Sequence, residues 1–378
     1  MVATPTTSPV TTVVYALGYR TWADALRVGS AFSPERIATR LRDDRSVERA
    51  VLVDPVRSQL RRLKPDRPAP PPFAIDPSRE HLQPRRWRRG EPTERDEAVA
   101  VQRRLDRRLQ RHVDPSSTVL VTSHPVLAAV ADRDVWRDVA FYAWDDFRGV
   151  PDSAALVGWA YAEVVARDVN VVAVTQAIVD IIGARRSTVV PNGIVSADFE
   201  EQAAVPAWFA ALGGKVAFYA GSLQRRIDVE ALQDLADDLP AEWTLVLVGP
   251  MQEPECFTDL ATRHNVLIRD AEPRPQVLAM MAVADVCLVP HVPETEGMSP
   301  LKVYEYLGAG APVVATDLEP MRGLSPHCRL VAHGARLAPE VLAAAAGPRA
   351  TAAETAEFRS AHDWDRRYLA WRAAILGS

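Results

Sequence analysis

What most constrains this chain is a rhythm. Short runs of β-branched and aliphatic residues, apolar on both faces, alternate with helical patterns along nearly its whole length. In the first half the runs are Val13–Leu17, Ala50–Val53, Val119–Thr122, Ala140–Ala143, Val171–Val174 and Thr188–Val190. In the second half they are Val216–Ala220, Thr244–Val248, Val266–Ile268, Val286–Val289 and Pro312–Ala315. A strand that is apolar on both faces belongs in a parallel sheet covered by helices on each side. Two consecutive arrays of this kind predict two Rossmann-like α/β domains.

The 378 residues are enough for two such domains. The domains are expected at 1–192 and 215–358, with a linker over 193–214, where Pro191-Asn192-Gly193 and Gly213-Gly214 interrupt the pattern. Residues 359–378 read as a closing helix. Its Trp364, Tyr368, Leu369 and Trp371 carry more apolar surface than a free tail would expose, so it is expected to dock back on the N-terminal domain.

Charge and cysteine content exclude several classes. A net charge of −5 argues against a protein that coats nucleic acid. Three dispersed cysteines, Cys256, Cys287 and Cys328, form no CxxC pair, so neither a disulfide framework nor a structural zinc site is expected. The polar N-terminus and the absence of a long apolar run predict a cytoplasmic protein, at most peripheral to a membrane. Residues 61–111 depart from the rest, with 15 Lys/Arg against 8 Asp/Glu. A solvated surface explains that stretch, and so does a basic rim that recruits an anionic acceptor or an acidic lipid surface.

The most informative segment runs from Pro290 to Thr316: a strand end, a Gly/Ser/Pro loop, a helix start and the next strand. A Ser299-Pro300 cap directs free backbone N–H groups and the positive end of a helix at an anion. Lys302, one of only three lysines in an arginine-rich chain, lies in the first turn of that helix and adds a full charge. Glu305, on the same face, is placed to accept hydrogen bonds from a ribose diol.

These residues resemble the donor-nucleotide motif of GT-B glycosyltransferases, in particular glycosyltransferase family 4, in a Ser-Pro-Leu-Lys-type branch. Ala217-Phe-Tyr-Ala-Gly-Ser-Leu223, Thr244-Leu-Val-Leu-Val-Gly-Pro250 and Val189-Val-Pro-Asn-Gly-Ile194 resemble other parts of that fold in the expected order. The likeness starts at about Ala140. Two departures are evident. Glu296 stands nine positions before Glu305, where many members separate two glutamates by seven residues. Ser222 follows Gly221, where a basic residue is usual, and the nearby basic residues are Arg225 and Arg226.

The resemblance implies an α/β GT-B fold, two domains facing across a cleft, and a metal-independent, retaining sugar transfer without cofactor. The donor would be a nucleoside-diphosphate sugar carrying uridine, guanosine or thymidine. Donor-binding residues would be Gly18, Gly221, Ser222, Arg225, Arg226, Gly249, Pro250, Ile268, Arg269, Glu296, Ser299, Pro300, Leu301, Lys302 and Glu305. Asp145, Asp146 and His124, at strand ends of the first domain, are the acceptor-side candidates for base or sugar positioning. Capping of local turns explains the same three residues. The acceptor would be a small molecule, a glycan or a lipid-linked compound. A nucleotide-sugar 2-epimerase of the same fold and a non-catalytic nucleotide-binding partner are the alternatives. Asp132-Arg-Asp134 and Asp363-Trp-Asp365 spell an acid-x-acid pattern but fall away from strand C-termini, and neither is expected to hold a metal.

Overall fold

The structure is a computed structural model that describes residues 12–27, 29, 32–59, 72–88, 90, 92–149, 153–200, 203–292 and 297–377. The chain divides into two compact units, Met1–Pro191 with Arg367–Ser378, and Asn192–Arg366.

In the first unit the elements follow in chain order. They are β1 (Thr12–Ala16), α1 (Trp22–Arg27), α2 (Ser33–Asp43), β2 (Arg49–Val53), β3 (Arg57–Ser58), β4 (Arg79–Leu82), β5 (Arg85–Arg86) and α3 (Arg95–Gln110). Then come β6 (Thr118–Thr122), α4 (Pro125–Val130), β7 (Asp138–Ala143), α5 (Ala154–Ala166), β8 (Asn170–Ala173), α6 (Gln176–Ile182) and β9 (Ser187–Val189). Seven strands form one sheet in the order β4-β2-β1-β6-β7-β8-β9. Each pairing is parallel, so the C-terminal ends of the strands share one edge. β1 is buried along its whole length, as a central strand with two apolar faces requires. The short β3 and β5 pair separately as a two-stranded ribbon.

In the second unit come α7 (Ala207–Ala210), β10 (Lys215–Ala220), α8 (Val229–Asp238), β11 (Trp243–Val248), β12 (Val266–Arg269), α9 (Arg274–Val283) and β13 (Val286–Val289). They are followed by α10 (Leu301–Gly308), β14 (Val313–Thr316), β15 (Cys328–Val331), α11 (Ala338–Ala346) and α12 (Ala352–Ala361). Its six-stranded parallel sheet runs β12-β11-β10-β13-β14-β15. The alternation of β10 splits its neighbours between two cores: Phe218 packs with Val246, Val289 and Tyr306, and Tyr219 with Leu245, Leu288 and Val314. Helix ends follow their caps. Asp228 accepts a hydrogen bond from Ala231 N at 3.0 Å to start α8, and Thr351 with Glu354 forms a reciprocal box at the start of α12.

The segment 193–214, expected as a linker, packs into the second unit. Ile194, Phe199 and Phe209 sit in its core, so the glycines and prolines there mark turns and not a free connection. The last helix, α13 (Trp364–Leu376), begins in the second unit and passes to the first at Arg367. There Trp371 is fully buried, with ring centroids 5.6 Å from Tyr15 and 6.2 Å from Tyr142. Asp44 anchors the same helix through Tyr368 Oη (2.7 Å) and Arg372 Nη1 (3.0 Å). Among the described residues, no helix is long and apolar enough to cross a membrane.

A candidate anion site at the strand ends of the second unit

The strand C-termini of the second sheet bring Gly221 and Gly249 together with Lys302. Gly221, after β10, has φ +145°, and Gly249, after β11, has φ +153°. A Cβ on Gly249 would lie 2.0 Å from the Gly221 carbonyl oxygen, so the two turns cross with no room for a side chain. Lys302 reaches the same spot from the first turn of α10. A Cβ on Gly221 would come within 2.8 Å of its Nζ. The ammonium donates to Tyr219 Oη at 2.5 Å and lies 4.0 Å from the centre of that ring. Tyr219 in turn donates to the Ser222 carbonyl at 3.2 Å.

Desolvation pulls Lys302 down to about 7, against an opposing pull from Glu305. An ammonium with so little solvation gains strongly from an anion. His291, after β13, is buried, and desolvation together with the charges of Lys302 and Arg226 lowers it to about 3, so it is neutral. Its Nδ1 faces the Arg226 carbonyl at 3.0 Å and must donate, because a carbonyl only accepts. The lone pair of Nε2 is thereby left buried without a hydrogen-bond partner among the described residues, as is Ser299 Oγ. Three polar groups that would be costly to bury alone therefore fall between the end of β13 and the first turn of α10.

Local geometry differs from the expected cap. Pro300 itself occupies the N-cap position, the helix starts at Leu301, and no side chain caps it. Proline lacks an N–H but keeps the extended ψ of a cap, here 117°, so Ser299 is displaced one position outward. Its carbonyl accepts from Asn192 Nδ2 at 2.8 Å.

Glu305 accepts from Arg274 Nη1 at 2.6 Å, and Asp198 holds the same guanidinium at 2.8 and 3.0 Å. Arg274 and Asp198 carry no signal in the sequence. Nor does Tyr219, which reads there as an ordinary core aromatic. Arg225 is exposed and engaged by Glu253, with Nε to Oε1 at 2.7 Å, whereas the Arg226 side chain contacts Met298 Sδ at 3.7 Å. Pro250 accepts from Leu223 N at 3.0 Å. Ile268 and Arg269 end the edge strand β12, where the Arg269 guanidinium covers the Trp208 ring at 4.7 Å. Glu296 lies outside the described residues.

In the first unit the candidates also fall at strand ends, each engaged locally. Gly18 N donates to Ser123 Oγ at 2.8 Å, and a Cβ on Gly18 would strike the Ser123 carbonyl at 2.4 Å. His124 caps α4 by accepting from Val126 N at Nδ1 (3.2 Å), so its Nε2 carries the proton and lies 3.2 Å from the Gln102 side-chain amide. Both ring nitrogens are thus occupied. Asp145 Oδ1 accepts from Asp146 N at 2.9 Å, and Asp146 pairs with Arg148 at 2.8 Å. In the acid-x-acid motifs, Asp132 accepts from Asp134 N and Asp363 from Asp365 N, as short turns do.

Comparison with known proteins gives the class. Solved structures align over almost the full chain. Anabaena Alr3699/HepE in complex with UDP matches with a TM-score of 0.63 at 14% identity, covering 95% of this chain and 97% of that one. A UDP-forming α,α-trehalose-phosphate synthase from Burkholderia xenovorans matches with a TM-score of 0.67 at 13% identity, covering 97% and 99%. The fold is GT-B, with two Rossmann-like parallel-sheet domains. Residues 214–356 match the family model described as "Glycosyl transferases group 1", so the second unit carries a group 1 glycosyltransferase domain. A Bacillus subtilis (strain 168) relative, described as the teichuronic acid biosynthesis glycosyltransferase TuaH, is 29% identical over 109 residues. That alignment covers 28% of this chain and 27% of the relative.

Proposed function

We propose that this chain is a glycosyltransferase that moves a sugar from a nucleoside-diphosphate sugar to a hydroxyl acceptor. One observation carries the reading. Lys302 holds a desolvated ammonium directly over the Gly221 turn, at the C-terminal edge of a parallel sheet and the start of a helix. Such an edge is where parallel α/β sheets bind their ligands, and the backbone approach there suits a diphosphate. That Alr3699/HepE is seen with UDP supports a uridine donor among the uridine, guanosine and thymidine candidates.

In this reading the bond between the anomeric carbon and the diphosphate oxygen breaks, and the acceptor oxygen bonds to that carbon. The acceptor proton passes to the departing phosphate, on the same face, with retention. Lys302, Arg226 and the N–H groups at the start of α10 stabilise the growing charge, so the transfer proceeds without a metal. Glu305, steered by Arg274, takes the ribose diol, and His291 Nε2 and Ser299 Oγ supply further polar contacts to the donor. Asp145 and Asp146 belong to the acceptor side. The acceptor is a glycan, a small molecule or a lipid-linked compound, and the protein works in the cytoplasm with a peripheral contact to the membrane through the basic segment.

The test incubates the full chain with labelled nucleotide sugars, with and without candidate acceptors, and follows nucleoside-diphosphate release in the presence of a chelator. Acceptor-dependent release that survives chelation supports the reading. Sugar interconversion with no acceptor would replace it with an epimerase.

A further inference from the structure

A groove of about 790 Å³ opens on the first unit, within the basic segment. Its walls come from two stretches of chain. The β5 ribbon and the turn after it supply Arg85, Arg86 and Arg88, and α3 with its C-cap supplies Arg104, Arg107, Arg108 and Arg111. The spacing of the second group, three and four residues apart, sets it in one stripe on the helix, opposite the buried Ala98, Gln102 and Leu109. Among the described residues, Glu97 is the single acidic one lining the groove, and Arg88 holds it at 2.9 Å. Arg104, Arg107, Arg108 and Arg111 have no carboxylate partner among the described residues, although α3 carries acids elsewhere. Like charges at this helical spacing destabilise a helix, so the stripe is not there for the fold.

Guanidinium groups in such a cluster match phosphate oxygens, which they bind as a planar fork. Two further features select the phosphate. Val56, Pro84, Ala100 and Val101 give the groove an apolar lining, and Trp87 stands at its rim with 76% of its surface exposed. An exposed indole among arginines is the pairing found at a membrane–water interface, where the ring enters the headgroup layer and the cations meet its phosphates. A soluble polyanion would leave the indole and the apolar lining in water. We propose that this groove docks the first unit on an anionic phospholipid bilayer, with headgroup phosphates among the arginines and Trp87 in the interface. The proposal rests on the reading of the chain as a transferase working at a membrane, and it gives that contact its residues.

Cosedimentation of the full chain with phosphatidylcholine vesicles, with and without phosphatidylglycerol, tests it. The parent should bind only the vesicles containing phosphatidylglycerol, and rising salt should weaken that binding. Arg104→Gln/Arg107→Gln/Arg108→Gln/Arg111→Gln should bind them about tenfold more weakly or worse. Should that variant fail to fold, Arg85→Gln/Arg88→Gln, on the ribbon and the turn after it, carries the same expectation. Trp87→Ala should also lose binding, whereas Arg329→Gln/Arg336→Gln, exposed in the second unit, should not. Equal sedimentation of parent and groove variants would overturn the proposal, as would retention of the parent by single-stranded oligonucleotide without vesicle binding. UDP titration of the same samples reports on the donor site separately, because the groove variants should keep the parent's nucleotide affinity.

Discussion

The ammonium of Lys302 rests 2.5 Å from the hydroxyl of Tyr219 and 4.0 Å from the centre of its ring, at the turn made by Gly221. Tyr219 stays a neutral phenol there, since its burial raises the hydroxyl further above the ordinary range. The cation is therefore held by a dipole and a π face, with Glu305 acting on it only at a distance. That leaves most of its charge for a ligand.

A consequence is proton uptake on binding. Lys302 is lowered to about 7 by desolvation, so the free protein carries it mainly neutral at pH 8. A diphosphate restores the charged form. Titration of UDP at pH 8 in buffers of different ionisation enthalpy should show uptake of about one proton per nucleotide, falling towards zero at pH 6. The sign for stability follows. Between about pH 7 and the unfolded value near 10.5 the unfolded chain binds the extra proton, so this group lets stability rise with pH across that window.

The crossed glycines make a second test. Gly249→Ala must place its Cβ 2.0 Å from a carbonyl oxygen at φ +153°. Backbone this strained costs about 1–3 kcal/mol before the clash is counted. Urea unfolding should show at least that loss, accompanied by a loss of UDP binding.

Asp145→Asn preserves size and removes charge. In the proposed acceptor role its turnover should fall by about 10²-fold or more while UDP affinity holds. Steady-state kinetics on the variant decide this, and unchanged turnover would return Asp145 to the capping contact with Asp146 N.

Burial of Trp371 against Tyr15 and Tyr142 makes the closing helix part of the first unit's core. Trp371→Ala should cost about 3–5 kcal/mol. The change should appear in the thermal unfolding of the first unit.

The two arrays of strands were legible in the sequence because central parallel strands must be apolar on both faces. β4 was not. Its Arg-Glu-His-Leu pairs with one neighbour only, and Arg79 is buried by donating to the carbonyls of Arg42, Asp44 and Val47, a solution no periodicity announces. In the site, Lys302 stood out because lysine is rare in this chain and because it falls in the first turn of a helix opened by a Ser-Pro pair. The Arg274 bridge from Glu305 to Asp198 did not, since its partners lie 31 and 76 residues from it and meet only through the fold. Ser299 was placed one position too far into the helix because proline serves at N1 and at the cap alike.

The central claim is that Lys302 receives the donor diphosphate. Calorimetric titration of UDP and of uridine into the parent and into Lys302→Met tests it most directly. Methionine keeps the apolar stem and deletes the charge. UDP should bind the variant more weakly by about 1.5–3 kcal/mol, the scale of a charge-assisted hydrogen bond, while uridine binds both proteins alike. Equal UDP affinity in parent and variant would contradict the account.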